Sequence, residues 1–273
     1  MIFILMIIIG FSSAFLGSIA GLGGGIIFVP SILLLQHNML GFEWATPQAI
    51  VGMSLLVMIF TGLSSTFAYL KYKRIDVKSG SIFLIGSIPG SLIGVWMNKF
   101  VETEGFQLYF GMLMLFISAM FFVRKRISSS KLIKNERGFK RTFAFRGEVH
   151  HYTFSVPIAL SIAFVVGTCS GLFGIGGGSL MVPAMILLFG FPPHIAAPTS
   201  MFMIFVSSSF SSVAHIGLGH IHWEYALYFI PAAWIGGTIG AKVSQKLKSG
   251  TIELVLRILI ILIGIQLILE GLF

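Results

Sequence analysis

The sequence predicts an all-α integral membrane protein built from two inverted repeats of about five segments each. Three observations support this prediction. Hydrophobic residues make up 56% of the 273 residues and charged residues only 10%, whereas a soluble domain has about 25% charged residues. The mean hydropathy is +0.97. A glycine-rich motif inside apolar sequence also occurs twice, once in each half of the chain.

The apolar segments give the order of the elements. We predict ten, at 1–21, 23–36, 48–70, 80–97 and 105–123 in the first half and at 153–172, 176–189, 198–216, 223–241 and 251–270 in the second. Most approach the ~20 residues that a transmembrane helix needs. The second segment of each half is short, since fourteen helical residues reach ~21 Å against a ~30 Å hydrocarbon core. Each short segment therefore either crosses with the help of an unwound stretch or re-enters on the same side.

The first segment has no basic region before its apolar stretch, so we interpret it as a retained helix rather than a cleaved signal peptide. A polar stretch then separates the two halves. We predict an N-terminal transmembrane repeat at 1–123, a basic cytoplasmic linker at 124–152 and a C-terminal transmembrane repeat at 153–273. Between 124 and 148 the net charge is +7, and Lys and Arg accumulate on the cytoplasmic side of membranes. We expect a flexible connector that anchors the topology, with binding of anionic lipid as the alternative role.

Loop charges favour opposite orientations for the two repeats. The loop at 71–78 carries a net charge of +3, whereas the matching turn at 217–222 has no Lys or Arg. The loop at 98–104 carries −1, whereas the matching loop at 242–250 carries three lysines. An odd number of crossings per repeat inverts the second copy and places both termini outside. The alternative, four full crossings and one re-entrant loop per half, leaves the lysines of 242–250 outside.

The two glycine-rich motifs, which we call the hinges, align residue for residue. Gly21–Gly25 is followed by Ile26–Pro30, and Gly174–Gly178 by Ser179–Pro183, at a constant offset of 153. Helix-breaking residues at membrane depth are tolerated only where the backbone lines a cavity or is buried in protein. Two breaks at matching positions indicate the binding site of a transporter. Close helix packing is the alternative role for these glycines, and it is the role we expect at 86–90 and 236–240.

These motifs resemble those of the sulfite exporter TauE/SafE family of membrane permeases. Beyond the hinges the halves match at an offset of 146, and the stretches that carry the resemblance are Gly21–Pro30, Ala49–Leu55, Gly174–Pro183 and Ala197–Met201. The resemblance covers the chain except for the linker. It implies a transporter of the bacterial-type plasma (inner) membrane for sulfite, sulfoacetate or a related organosulfur anion. Pro198 and Thr199 stand where the first half has Gly52 and Met53, so the two half-sites differ chemically.

Backbone groups rather than charged side chains are the candidates for holding an anion. A glycine-rich turn that leads into a helix presents unpaired N–H groups and the positive end of the helix dipole, and two such ends would nearly balance a monoanion. Nearby hydroxyl groups would add donors, although hydrogen bonds between helices are an equal alternative for Ser54, Thr199 and Ser200. The predicted substrate-binding residues are Gly23, Gly24, Gly25, Ser54, Gly176, Gly177, Gly178, Ser179, Thr199 and Ser200.

Three further residues are predicted to shape or gate the helices. Pro30 and Pro183 would kink the short helices. His215, near the end of its segment, is a candidate protonatable gate. Its spacing from His220 and His222 lacks the i, i+4 register of a helical metal site, so we predict no metal and no cofactor.

We predict a secondary transporter (permease) that moves a small anion by alternating access at a site formed by the two hinges, not an enzyme. The expected partners are the anionic substrate and the lipid bilayer, without nucleic acid and with a homo-oligomer as an open option. A passive anion channel of the same architecture is the main alternative. An intramembrane serine protease built on Ser170 and His215 is disfavoured, because these residues match Gly17 and Tyr69 of the other half. A scaffold protein is a third alternative.

Overall fold

The computed structural model describes residues 2–38, 41–123, 139–145 and 148–246, together with Ile261 and Ile265. These residues form nine helices and one two-stranded sheet. The elements are α1 (Ile2–Ala20), α2 (Gly25–Asn38), α3 (Pro47–Leu70), α4 (Val77–Asn98), α5 (Thr103–Val123), β1 (Phe139–Phe145), β2 (Glu148–Phe154), α6 (Val156–Phe173), α7 (Gly178–Leu187), α8 (Pro193–Gly217) and α9 (Trp223–Ser244). The tenth predicted segment, 251–270, lies outside the described residues except for Ile261 and Ile265.

The helices confirm that the chain is a mostly helical membrane protein, as predicted. Six of them, α1, α3, α4, α6, α8 and α9, are long and apolar enough to cross a membrane. The two short segments appear as α2, with 14 residues, and α7, with 10. At 1.5 Å per residue these helices extend ~21 and ~15 Å, less than the hydrocarbon core of a bilayer.

Glycines bring α4 and α6 into close parallel contact. A Cβ atom added to Gly90 would lie 2.1 Å from Phe164 O, and one added to Gly94 would lie 2.2 Å from Thr168 O. No side chain fits at these distances unless the backbone moves. The predicted packing role of the glycines on α4 is thus confirmed, and small residues set the distance between the helices.

The same arrangement joins α1 to α9. A Cβ atom at Gly236 would lie 2.5 Å from Phe11 O, and one at Gly240 would lie 2.4 Å from Phe15 O. Both pairs of helices therefore connect the first half of the chain to the second.

The two ends of the helical bundle differ in charge. Tyr69 OH, near the end of α3, donates to Ser18 O at 2.9 Å, and Ser244 Oγ, at the end of α9, donates to Ile19 O at 2.9 Å. The loop after α3 and the end of α9 therefore lie together beside the end of α1. We call this end the basic end; it carries Lys71, Lys73, Arg74, Lys242 and Lys246.

The opposite end is rich in aromatic contacts. Trp44 stacks on Tyr225 with ring centroids 4.9 Å apart, and Phe3 stacks on Tyr228 at 4.5 Å. Its charged residues are mixed, namely Glu43, Lys99, Glu102 and Glu224. Positive charge is thus concentrated at one end of the bundle.

The linker contains a β-hairpin, which the prediction of a flexible connector did not include. Antiparallel β1 and β2 pair with Phe139 opposite Phe154 and Arg141 opposite Tyr152. Because side chains alternate along a strand, Phe139, Arg141, Tyr152 and Phe154 share one face. The hairpin also shifts the start of α6 from the predicted residue 153 to Val156, since 153 and 154 belong to β2. The linker residues 124–138 and 146–147 lie outside the described part of the chain.

Aromatic side chains hold the hairpin on the basic end. Phe154 lies 5.1 Å from the ring of Phe83 on α4, and Phe83 in turn stacks on Phe189 at 5.5 Å. Tyr152 packs against Phe191 with ring centroids 3.9 Å apart. The hairpin is therefore packed against the helices as part of the folded core.

Candidate functional site

Glycine conformation creates both hinges. Gly21, Gly23 and Gly24 have φ angles of +75°, +81° and +95°, and Gly174 and Gly176 have φ angles of +66° and +68°. Residues with a Cβ atom rarely adopt this left-handed backbone. The helices α1 and α6 consequently stop, and a new helix starts a few residues later in each half.

The hinges lie inside the bundle rather than at its ends. After α1 ends, the chain turns back so that a Cβ atom on Gly24 would lie 2.7 Å from Ser13 O, seven residues before the end of that helix. In the second half, a Cβ atom on Gly177 would lie 3.8 Å from Val166 Cγ1, on the preceding helix α6. Each short helix thus begins roughly 10 Å back along the preceding helix.

The two hinges contact each other. A Cβ atom at Gly25, the first residue of α2, would lie 2.3 Å from Gly174 O. A Cβ atom at Gly178, the first residue of α7, would lie 2.8 Å from Gly21 O. The predicted glycines of both halves are therefore brought to one place, at the start of both short helices.

Two of the predicted hydroxyl groups hold the hinges across the halves. Ser54 Oγ on α3 donates to Gly174 O at 2.6 Å, and Ser200 Oγ on α8 donates to Gly21 O at 2.7 Å. A serine hydroxyl has a single proton. In this conformation both serines are donors to a carbonyl, so they offer lone pairs, not protons, to any other group.

Thr199 and Ser179 differ from these two serines. Thr199 Oγ1 accepts a hydrogen bond from the amide of Asp76 at 3.0 Å and so links α8 to the start of α4, at the basic end. Ser179 lies in the first turn of α7, and its side chain is outside the described part of the structure.

Free backbone donors remain at the start of α2. In the described part of the chain, the amides of Gly24, Gly25 and Ile26 donate no hydrogen bond. These are the unpaired donors that every helix start leaves. Here the residues that carry them are buried inside the bundle.

Two apolar side chains cover the meeting point of the hinges. A Cβ atom on Gly23 would lie 2.9 Å from Ile204 Cδ1 and 3.1 Å from Met58 Sδ, and one on Gly176 would lie 2.6 Å from Met58 Sδ. Both side chains are fully buried. Access of a ligand to the hinges therefore requires Met58 and Ile204 to move.

The two prolines that were predicted to shape the helices lie inside the short helices. Pro30 is inside α2 and Pro183 is inside α7, where each removes one helical hydrogen bond.

His215, buried in the last turn of α8, faces His220 with 2.9 Å between the Nδ1 atoms. Burial, aided by the charge of Lys99, lowers the pKa of His220. Within the described residues these histidines form a pair, not a group of three metal ligands. The gating role of His215 stays a prediction.

A run of hydroxyls on α8 was not among the predicted site residues. Five of the six residues from 207 to 212 are serines, and Ser207, Ser208, Ser211 and Ser212 are buried. The signal was present in the sequence as an unusually polar turn inside an apolar segment. Which of its members face the protein could be learned only from the packing of α8.

An apolar groove of about 760 Å³ lies between α4, α5 and the end of α6. Trp96, Phe100, Tyr109, Phe116 and Phe173 are among the residues that line it. It offers almost no hydrogen-bond donors and does not suit an anion.

A bundle of membrane-length helices, in which two broken helices meet in the interior, is typical of membrane transporters. The chain belongs to the sulfite exporter TauE/SafE family, whose model matches residues 6–267. It is an integral, multi-pass membrane protein. The names of its family and of its relatives point to transporters rather than enzymes, as predicted.

The relatives carry transporter names. The chain is 48% identical over 274 residues to "Probable membrane transporter protein YunE" of Bacillus subtilis, with 100% of both chains covered. It is 25% identical over 234 residues to a "Probable membrane transporter protein" of Haemophilus influenzae, covering 86% of this chain and 82% of the relative. It is 36% identical over 85 residues to "Sulfite exporter TauE/SafE family protein 6" of Arabidopsis thaliana, covering 31% of this chain and 20% of the relative. No solved structure matches.

Proposed function

We propose that this protein is a secondary transporter that moves a small oxyanion, sulfite or an organosulfonate, by alternating access at the two hinges. The observation that carries the proposal is the meeting of two helix starts inside the bundle, with the amides of Gly24, Gly25 and Ile26 free of partners. Each helix start is equivalent to roughly half a positive charge, so two of them compensate a monoanion without a buried cation. The family name supplies the class of substrate.

Inverted repeats are part of this proposal, and the contacts between the halves support them. The contact of Gly94 with Thr168 recurs as that of Gly240 with Phe15, at the offsets of 146 and 153 found in the sequence. The hydrogen bond from Ser54 to Gly174 recurs in the same way as that from Ser200 to Gly21. Two inverted repeats that exchange conformations give one state open to each side of the membrane, as alternating access needs.

The closed centre favours a carrier over a passive channel. Met58 and Ile204 fill the space beside the hinges, and a permanently open pore would leave this space free. We further propose a bacterial plasma-membrane location, and the concentration of positive charge at one end supports an orientation with the basic end, including the linker, in the cytoplasm.

Transport by the purified chain tests the proposal. Proteoliposomes loaded with sulfite or sulfoacetate are expected to show saturable uptake of the labelled anion and counterflow, and the same anions are expected to raise the apparent stability of the protein. Single-channel currents instead of counterflow would support the channel. Absence of both uptake and stabilisation with every anion would refute the proposed substrate class.

Gly177 allows the site itself to be tested. It is the N-cap of α7 with an ordinary φ of −54°, and an added Cβ atom meets only van der Waals contacts, 3.4 Å from Ser87 Oγ and 3.8 Å from Val166 Cγ1. Gly177→Ser places a methylene and a hydroxyl group beside the start of α7, where they reduce the space for the anion, whereas Gly177→Ala adds only a methyl group. We expect about tenfold slower uptake in Gly177→Ser, a smaller loss in Gly177→Ala and unchanged thermal stability in both.

The matched control is Gly217→Ser, because no atom lies within 4 Å of a Cβ at that position. It is expected to transport as the unmodified protein does. Equal uptake by Gly177→Ser and this control would show that the hinge does not contact the substrate.

A further inference from the structure

Three buried hydroxyls on α8 lack partners. Ser207, Ser208 and Ser212 are each at most 1% exposed, and their Oγ atoms have no hydrogen-bond partner among the described residues. His215 Nε2, one turn further along, is likewise buried and unpaired. A buried polar atom without a partner costs about 1–3 kcal/mol, so four neighbouring ones require an explanation.

These serines differ from most of the other serines and threonines of the helices. In a membrane helix such a hydroxyl ordinarily donates to the carbonyl three or four residues earlier. Hydroxyls that do so here are those of Ser12, Ser13, Ser31, Thr61, Ser64, Ser91, Ser161, Thr168, Ser209, Ser211 and Thr238. Even the adjacent Ser209 donates to Phe205 O at 2.7 Å. The side chains of Ser207, Ser208 and Ser212 are therefore turned away from the carbonyls of their own helix.

The unpaired groups continue the helix face that contacts the hinges. At 3.6 residues per turn, Ser200, Ile204, Ser208 and His215 fall on one side of α8, with Ser207 and Ser212 flanking them. Ser200 bonds to Gly21, and Ile204 covers Gly23. His215, at the other limit, lies against Gly52 of α3, where an added Cβ atom would be 3.3 Å from its Nδ1. One polar stripe thus runs from the hinges to the opposite end of the bundle.

Most of the corresponding hydroxyls on α3 have partners, although Thr66 Oγ1, at the position that matches Ser212, is buried and has none among the described residues. Ser65 Oγ pairs with Ser18 Oγ at 2.7 Å and with Gly237 O at 3.2 Å, and Tyr69 OH donates to Ser18 O. Thr61 donates to Val57 O within its own helix. Towards the basic end, Ser65 and Tyr69 therefore bind the helices to each other, whereas towards the opposite end three hydroxyls of one helix lie close together without partners.

We propose that Ser207, Ser208, Ser212 and His215, the hydroxyl stripe, line the half of the path that carries a small sulfonate- or sulfite-type oxyanion between the hinges and the opposite end of the bundle. Neutral hydroxyls replace part of the hydration shell of the anion but do not trap it as a buried Lys or Arg would. The proposal rests on the proposed function, because it assigns the path to the same substrate.

Cysteine labelling tests the stripe without a transport assay. In a Cys169→Ser background, which removes the single native thiol, Ser208→Cys and Ser212→Cys are placed in nanodiscs, where reagents reach both faces. The probes are the anionic methanethiosulfonate ethylsulfonate and its cationic trimethylammonium analogue, each normalised to its rate with free cysteine. We expect both variants to react at least tenfold faster than Ser209→Cys, with the anionic reagent preferred.

Ser209 is the matched control because it lies on the same turn, is half-buried and bonds within its own helix. Leu218→Cys, at the exposed end of α8, shows that the reagents are active. Stripe cysteines that react no faster than Ser209→Cys, or that prefer the cationic reagent, would overturn the proposal. Failure of sulfite or sulfonate flux in the unmodified protein would instead overturn the proposed function, and the labelling result would still stand for an anion path.

Discussion

Ser54 and Ser200 each hold the backbone of the hinge that belongs to the other half of the chain. Because they sit at equivalent places in the two halves, the sequence marked both as site candidates. It could not show that they donate to Gly174 O and Gly21 O, since those partners are set by where α3 and α8 pass the hinges. The positions of candidate residues were thus predictable, whereas the direction of their hydrogen bonds was not.

Removing either hydroxyl is expected to destabilise the fold. Ser54→Ala or Ser200→Ala leaves a buried carbonyl without its donor, at a cost of about 2 kcal/mol. Denaturant unfolding in detergent measures the loss. Ser31→Ala is the control, because Ser31 donates to Ile27 O within its own helix. Stability equal to that of the control would contradict the role of these serines in holding the hinges.

The β-hairpin is the element that helical periodicity could not reveal. Long apolar segments predicted the helices closely, with differences at their ends: α4 starts at Val77 rather than 80, because Asp76 caps it, and α8 starts at Pro193 rather than 198. In 139–154, aromatic residues alternate with polar ones, which is a strand pattern. The basic residues of this stretch were interpreted only as an anchor of the topology. Arg141, however, lies on the inward face of the hairpin.

Asp76 ties the hairpin to α4. Arg141 contacts both of its carboxylate oxygens, with Nη2 at 2.8 Å from Oδ1, and Tyr152 OH donates to Oδ2. Breaking such a buried pair from one side costs about 3 kcal/mol, so Arg141→Gln is expected to destabilise the protein by that order in thermal unfolding. Lys140→Gln, on the exposed face of the same strand, is the control. If both variants unfold alike, the ion pair does not hold the hairpin.

The same carboxylate makes docking of the hairpin dependent on pH. Burial raises the pKa of Asp76, but hydrogen bonds from Arg141, Ser79 and Tyr152 outweigh it and leave the pKa below its usual value. A lowered pKa means that the ion pair contributes fully above the unfolded-state value of ~3.9 and that its contribution is lost as the pH falls through the folded-state pKa. We expect faster amide hydrogen exchange in 139–145 only under acid conditions, after correction for intrinsic rates. A corrected exchange rate that does not change with pH in the unmodified chain would contradict this.

At the scale of the whole molecule, charge gives the bundle a direction. The loop after α3, the hairpin and the end of α9 collect at one end, as the loop charges in the sequence anticipated. The meeting of the hinges, by contrast, depends on contacts between residues of the two halves, such as Gly25 with Gly174 and Gly178 with Gly21, which neither hydropathy nor composition encodes.

Labelling of two single-cysteine variants tests the orientation of the protein in the membrane. In the Cys169→Ser background, an impermeant maleimide added to intact cells is expected to label Leu218→Cys, at the opposite end, and to spare Lys71→Cys, at the basic end, until the membrane is opened. Both positions are exposed. The reverse pattern would place the basic end outside and refute the proposed orientation.

The glycine contact between α1 and α9 has a consequence for synthesis. The partner of the first helix is translated about 200 residues later, which at 5–20 residues per second corresponds to roughly 10–40 s. During that interval α1 must remain in the lipid without α9, and the surface that packs against α9 is exposed to lipid. Assembly of the N-terminal half is therefore completed only by arrival of the C-terminal one, and two separately expressed halves should reassemble when they are made in the same cell.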